Sequence, residues 1–106
     1  MKKALLVIDL QEDFFKDGLL LENRQKLTTN VNERVDEAHK QDVHVIWVRQ
    51  EYKEDLSDAP LYNKKNRKPI TIQGTKGCQL LPELHYRPED SEIIKKRYSA
   101  FFRTEL

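Results

Sequence analysis

Two short apolar runs with an amphipathic stretch between them organise the first half of the chain. Residues 3–8 form a continuous β-prone run, which is typical of a strand buried in a parallel sheet. From about Arg24 to Gln41, apolar side chains recur at spacings of four, four and three residues: Leu27, Val31, Val35 and Ala38. This period predicts a helix with one apolar face. Residues 43–48 indicate a second strand, so the order predicts a right-handed βαβ unit.

The second half of the chain has a weaker pattern. Residues 49–69 are rich in charged side chains and predict a solvated loop, and prolines and glycines interrupt the sequence as far as residue 90. Leu80, Leu81 and Leu84 allow a short helix. Residues 92–96 predict a third strand, which would complete an α/β arrangement with a parallel sheet.

Composition narrows the class of protein. A chain of 106 residues forms one domain at most, and its net charge of +1 gives no electrostatic reason to expect nucleic-acid binding. The apolar run near the N-terminus is too short for a membrane span or a signal peptide, so we expect no membrane partner. The single cysteine, Cys78, excludes an internal disulfide and suits a reducing cytoplasm, where we expect the protein to reside.

Two segments carry the most specific residues. The first strand ends Val7-Ile8-Asp9-Leu10-Gln11-Glu12-Asp13-Phe14, and residues 95–101 read Lys-Lys-Arg-Tyr-Ser-Ala-Phe. Together they resemble the isochorismatase-like cysteine hydrolases, which have a V-x-D-x-Q-x-x-F strand end and a later K-x-x-Y-S-A-F motif. The resemblance implies one three-layer, Rossmann-like α/β/α domain over residues 1–106. It also implies a hydrolase of a small molecule, at an amide C–N bond or an isochorismate-type vinyl ether.

The resemblance places the family's catalytic Asp on Asp9 and its catalytic Lys on Lys95. A carboxylate at the carboxyl end of a parallel strand lies where open α/β sheets bind ligands and can act as a general base. A lysine beside a cysteine favours the thiolate. From the residues alone, a helix or loop cap is the more frequent role for Asp9, and a surface lysine is the more frequent role for Lys95. Phe14 and Phe101 belong to the two motifs and are our candidates for the substrate pocket, with aromatic core packing as the alternative.

The family's third catalytic residue, a cysteine well after the lysine, has no counterpart in these residues, because the sequence stops at Leu106. Cys78 precedes the third strand, so it has neither the order nor the helix-start setting of that nucleophile, and we interpret it as a partly buried loop residue. We therefore expect a truncated, inactive chain that supplies only Asp9 and Lys95 of an Asp-Lys-Cys mechanism. The alternative is a natural short paralogue that has lost catalysis and acts as a binding or assembly module.

The family resemblance also leads to expectations about cofactors and partners. The nicotinamidase branch of the family binds a metal through an Asp and several histidines just after the second strand. Residues 48–55 contain no histidine, and His39, His44 and His85 do not have a ligand spacing. We therefore expect no metal and no other cofactor. A sheet that ended after three strands would expose an unpaired edge, so we expect a homo-oligomer that binds a small-molecule substrate.

Overall fold

The βαβ unit predicted from the apolar pattern is confirmed. The computed structural model describes residues 3–53, 55, 57–58 and 71–96. Its strands are β1 (Ala4–Ile8), β2 (His44–Gln50) and β3 (Ser91–Lys95). Its helices are α1 (Gly18–Glu22) and α2 (Arg24–Lys40), with 3₁₀ turns at Glu12–Phe15 and Lys76–Cys78. Within the described ranges, no helix has the length and apolar character that crossing a membrane requires.

The three strands form one parallel sheet in the order β1-β2-β3. Val7 of β1 lies opposite Trp47 of β2, and Gln50 at the end of β2 lies opposite Lys95 at the end of β3. Because all the strands run the same way, their carboxyl ends meet at one edge of the sheet. The predicted fold class, an α/β fold with a parallel sheet, is therefore confirmed.

The core lies between α2 and one face of the sheet, the face that carries Val7 of β1 and Trp47 of β2. Val35 of α2 is fully buried there, together with Val45 and Trp47 of β2. The side chains of a strand alternate between its two faces, so Arg49 lies on the same face as Trp47. The 3.6-residue period of α2 and the two-residue period of β2 thus build one apolar layer.

The opposite face of the sheet is also apolar near β1. Leu6 and Ile8 are 38% and 42% exposed, whereas Val7 between them is 7% exposed. Contiguous exposed apolar side chains on a regular strand are typical of a surface that another element or chain covers.

The short helix allowed at Leu80, Leu81 and Leu84 is absent from the described structure. Leu80 instead forms an isolated antiparallel bridge with Gln11, and the Leu81 N–H donates to the Leu10 carbonyl at 3.0 Å. Pro82 has no N–H to donate and favours leaving a helix. The leucines still pack in the core, so tertiary contacts with the end of β1 outweigh the local pattern.

A buried carboxylate fixes the start of β3. Asp90 accepts hydrogen bonds from Trp47 Nε1 at 2.9 Å and from the Arg87 N–H at 3.0 Å, and it contacts His39 Nε2 at 2.8 Å. Burial by itself would raise the pKa of Asp90, but the hydrogen bonds with Trp47, His39 and Arg87 outweigh it and lower the pKa. Asp90 thus holds β3 against β2 and α2.

The core contact of the 80–84 segment gives a stability prediction. Leu81 is 2% exposed and Leu19 is 76% exposed. Leu81→Ala should lower the free energy of unfolding by about 2–5 kcal/mol, because it leaves a cavity in the main core. Leu19→Ala, the matched control, should change that free energy by less than about 0.5 kcal/mol. Urea unfolding with an unchanged m-value measures both; equal losses would show that the segment does not pack as described.

Candidate active site

The structure brings Asp9 and Lys95 together at the carboxyl edge of the sheet. Asp9 follows β1, and Lys95 is the last residue of β3. Lys95 Nζ donates to Asp9 Oδ2 at 3.1 Å, and the Lys95 side chain is 2% exposed. Because β2 lies between the two strands, this contact reaches across the end of β2, next to Gln50.

The backbone of Asp9 turns the chain out of the sheet. Its N–H makes a ladder hydrogen bond to the Val48 carbonyl at 2.9 Å, and its φ angle is +65°. This left-handed conformation is strained for residues other than glycine, although aspartate tolerates it better than most. Such strain is concentrated at functional sites, where surrounding contacts hold a side chain in one direction.

The two oxygens of the Asp9 carboxylate have different surroundings. Oδ2 accepts the hydrogen bond from Lys95, whereas Oδ1 is buried and has no hydrogen-bond partner in the described part of the chain. The Asp9 side chain is 38% exposed as a whole, so its exposure comes from its other atoms. A buried acceptor without a partner is costly, so this oxygen calls for an explanation.

Gln11, two residues after Asp9, is part of the same edge. It is fully buried, and its Oε1 accepts a hydrogen bond from the Gln50 N–H at 2.8 Å. Its Nε2 donates to the Gln50 carbonyl at 2.7 Å and to the Cys78 carbonyl at 2.6 Å. Gln11 is a site residue that was not predicted from the sequence, although its place in the V-x-D-x-Q-x-x-F motif was the available signal.

A second buried side chain ties the segment after β1 to the 71–78 segment. Asp13 accepts a hydrogen bond from the Thr71 N–H at 2.6 Å and forms an ion pair with Lys16 at 2.7 Å. A Cβ atom added at Gly77 would collide with the Asp13 carboxylate. Any larger residue at position 77 would therefore push the Asp13 carboxylate away from its contacts with Thr71 and Lys16.

The Cys78 sulfur contacts side chains other than those of the Asp9–Lys95 pair. Its Sγ is 3.4 Å from Arg49 Nη1 and 3.8 Å from Glu51 Oε1, and the residue is 2% exposed. Burial raises the pKa of the Cys78 thiol to about 11, with the Arg49 charge opposing and Glu51 reinforcing that shift. A buried thiol with a raised pKa is a poor nucleophile at neutral pH. The residue is more deeply buried than the sequence predicted.

The pocket residues proposed from the motifs remain predictions. Phe14 is half-buried and packs against the main core, and Phe101 lies outside the described residues. A cavity of about 480 Å³ lies under the 74–86 segment and is lined partly by Arg49, Tyr86 and Glu92. Arg49 is on the α2 face of the sheet, whereas Lys95 points to the opposite face by alternation. This cavity and the ion pair therefore do not coincide.

The expected absence of a metal site also stays a prediction. No group of three or more His, Cys, Asp or Glu side chains within residues 3–53, 55, 57–58 and 71–96 is arranged to hold a metal ion. His39 and His85 instead contact Asp90 and Asp36, both at 2.8 Å.

Comparison with known proteins shows the family of this chain. The isochorismatase domain model matches residues 3–106. The chain belongs to the isochorismatase family. A structure of an isochorismatase family protein from Desulfovibrio vulgaris matches with a TM-score of 0.86 and 25% identity. That match covers 98% of this chain and 57% of the other chain.

Two related proteins have names that describe a function. A probable inactive nicotinamidase of Arabidopsis thaliana is 36% identical over 111 residues, which cover 97% of this chain and 56% of that protein. The ureidoacrylate amidohydrolase RutB of Acinetobacter baylyi is 29% identical over 126 residues, which cover 97% and 51%. The chain thus spans about half the length of the curated relatives that it matches.

The environment of Cys78 predicts slow alkylation. Since burial raises the pKa of the thiol to about 11, the thiol form dominates below that pH, and the reaction with iodoacetamide should be slow at pH 8. Protein unfolded in urea, the control, should react at the rate of a free cysteine. Rapid alkylation of the folded protein with an apparent pKa near or below 8 would contradict this environment.

Proposed function

We propose that this chain carries the acid–base pair of a hydrolase that acts on a small molecule, preferably at the C–N bond of an amide. The observation that supports this proposal most strongly is the asymmetric Asp9 carboxylate. One oxygen is held by Lys95, and the other is buried without a partner in the described structure. This arrangement suits a general base, because one contact orients the carboxylate and the other oxygen keeps unused lone pairs that can accept a proton once a donor group reaches it.

In the proposed reaction, Asp9 takes the proton from a cysteine thiol, and the thiolate attacks the carbonyl carbon of the substrate. A C–S bond forms, and the electron pair of the C=O bond moves to the oxygen. The Lys95 ammonium stabilises this negative charge. The C–N bond then breaks, and the amine leaves with the proton that Asp9 had accepted. Water finally hydrolyses the thioester and regenerates the thiol.

These 106 residues do not supply the cysteine that this mechanism requires. The one cysteine in the sequence is buried with a raised pKa, and its sulfur contacts Arg49 and Glu51. In the described structure, no hydrogen bond joins Cys78 Sγ to Asp9 or Lys95. The thiol must therefore come from outside this sequence.

Amides are the preferred substrate class because of the relatives. The Acinetobacter relative is named as an amidohydrolase, and the Arabidopsis relative is named after a nicotinamidase. Hydrolysis of an isochorismate-type vinyl ether is the second choice, because it rests on the family name alone.

The alternative function is a catalytically inactive binding or assembly module. The Arabidopsis relative, which is called a probable inactive nicotinamidase, favours it. The exposed apolar face at Leu6 and Ile8 favours it too. This face lies next to the outer edge of β1, and that edge pairs with no other strand in the described structure. Under either function we propose a homo-oligomer in the cytoplasm, with this face buried between copies.

The catalytic proposal predicts the behaviour of a chimera. In it, this chain replaces the matching half of the Acinetobacter amidohydrolase, and the proposed mechanism requires the remaining half to provide the cysteine. The chimera should hydrolyse that enzyme's substrate, and Asp9→Asn or Lys95→Met should lower kcat/KM by about three orders of magnitude or more, as loss of a triad member does. Lys96→Met is the matched control, because Lys96 donates to the Glu51 carbonyl instead of to Asp9, and it should have little effect. A folded Asp9→Asn chimera with full activity would overturn the proposal.

The isolated chain gives a complementary test. Without a suitably placed thiol, it should have negligible activity on amides, nicotinamide or isochorismate, and Cys78→Ser should leave this unchanged. Light scattering should show an oligomer. A monomeric, active chain that Cys78→Ser inactivates would make Cys78 the nucleophile instead.

A further inference from the structure

We propose that Gln11 is the residue that positions Asp9 against Lys95, an inference that rests on the proposed roles of that pair. Gln11 is fully buried, and its amide makes three hydrogen bonds of 2.6–2.8 Å. Both N–H groups of Nε2 and one lone pair of Oε1 are used in this way. A buried amide with this many partners has one orientation.

The Gln11 side chain replaces a backbone peptide at the end of the β1–β2 ladder. The last backbone bond of that ladder runs from the Asp9 N–H to the Val48 carbonyl at 2.9 Å. Beyond it, the +65° φ angle of Asp9 takes the backbone out of the sheet. Gln11 then binds both the N–H and the carbonyl of Gln50, two residues further along β2. Asp9 is therefore held between a backbone anchor before it and a side-chain anchor after it.

The same side chain also fixes the 78–81 segment. Gln11 Nε2 donates to the Cys78 carbonyl, the Leu81 N–H donates to the Leu10 carbonyl, and the Glu12 N–H donates to the Gln79 carbonyl at 3.0 Å. These bonds prevent the segment after Asp9 from sliding along the sheet edge.

A short path of contacts links Gln11 to Lys95. Gln50, the residue that Gln11 binds, is the β-sheet partner of Lys95, and the adjacent Glu51 N–H points to the Lys95 carbonyl at 3.4 Å. The position of the Asp9 segment relative to β3 is thus set through Gln11 and the end of β2. Small displacements between catalytic groups are costly for rate, so this anchor matters for the 3.1 Å contact of the pair.

The test measures the geometry of the pair without turnover, so its failure is separable from a failure of the proposed hydrolysis. The readout is the NMR coupling through the hydrogen bond between Lys95 Nζ and Asp9 Cγ in the isotope-labelled full chain. Gln11→Met removes all three hydrogen bonds at similar volume, and Gln11→Glu removes the donated ones. Thr28→Val is the matched control, because Thr28 is also buried and its hydroxyl donates to the Arg24 carbonyl within α2 at 2.9 Å.

Both Gln11 variants should lose the coupling while they remain folded, and acylation of the Lys95 amine should accelerate. Thr28→Val should keep the wild-type coupling, even if it loses as much unfolding free energy as the Gln11 variants do. A folded Gln11→Met protein with the wild-type coupling would overturn the proposal, and so would loss of the coupling in Thr28→Val.

A measurement on the wild-type protein covers the case in which neither Gln11 variant folds. As urea is raised below the unfolding midpoint, protection of the Gln50 N–H and the Lys95–Asp9 coupling should disappear together. Persistence of the coupling after the Gln50 N–H exchanges freely would contradict a positioning role for Gln11.

Discussion

The contact between Lys95 and Asp9 across the end of β2 is the interaction on which the site depends. Lys95 is 2% exposed, and burying an ammonium group is unfavourable unless it gains a charged or hydrogen-bonded partner. The parallel register brings the ends of β1 and β3 to the same edge, and the turn at Asp9 directs the carboxylate there. Because Asp9 remains 38% exposed, water weakens the attraction, and the pair contributes less stability than a fully buried pair would.

Patterns within one element were enough to predict the strands and the long helix. The sequence placed the second strand at 43–48, whereas β2 spans His44–Gln50. Arg49 and Gln50 are polar, so an apolar run gives no reason to include them; they are in the strand because β3 and Gln11 pair with them. The Leu80–Leu84 segment shows the same limit, since its conformation is set by the Leu10 carbonyl, which is distant in sequence.

The candidate site was partly accessible from the sequence. The motifs indicated Asp9 and Lys95, and the fold explains why residues 86 positions apart meet. The positive φ angle of Asp9 and the role of the Gln11 amide were not accessible, because both depend on backbone geometry and on the carbonyls of Gln50 and Cys78. The deep burial of Cys78 likewise results from the packing of the 74–81 segment against the end of β2, which local sequence does not specify.

The central claim is that Asp9 and Lys95 act as one unit, and a double-mutant cycle on stability tests it most directly. Unfolding free energies of the wild type, Asp9→Asn, Lys95→Met and the double variant would be compared at neutral pH. The contact predicts a coupling free energy of about 1 kcal/mol or more between the two positions, in the range found for residues that touch. Effects that add to within about 0.3 kcal/mol would show that the two side chains do not interact.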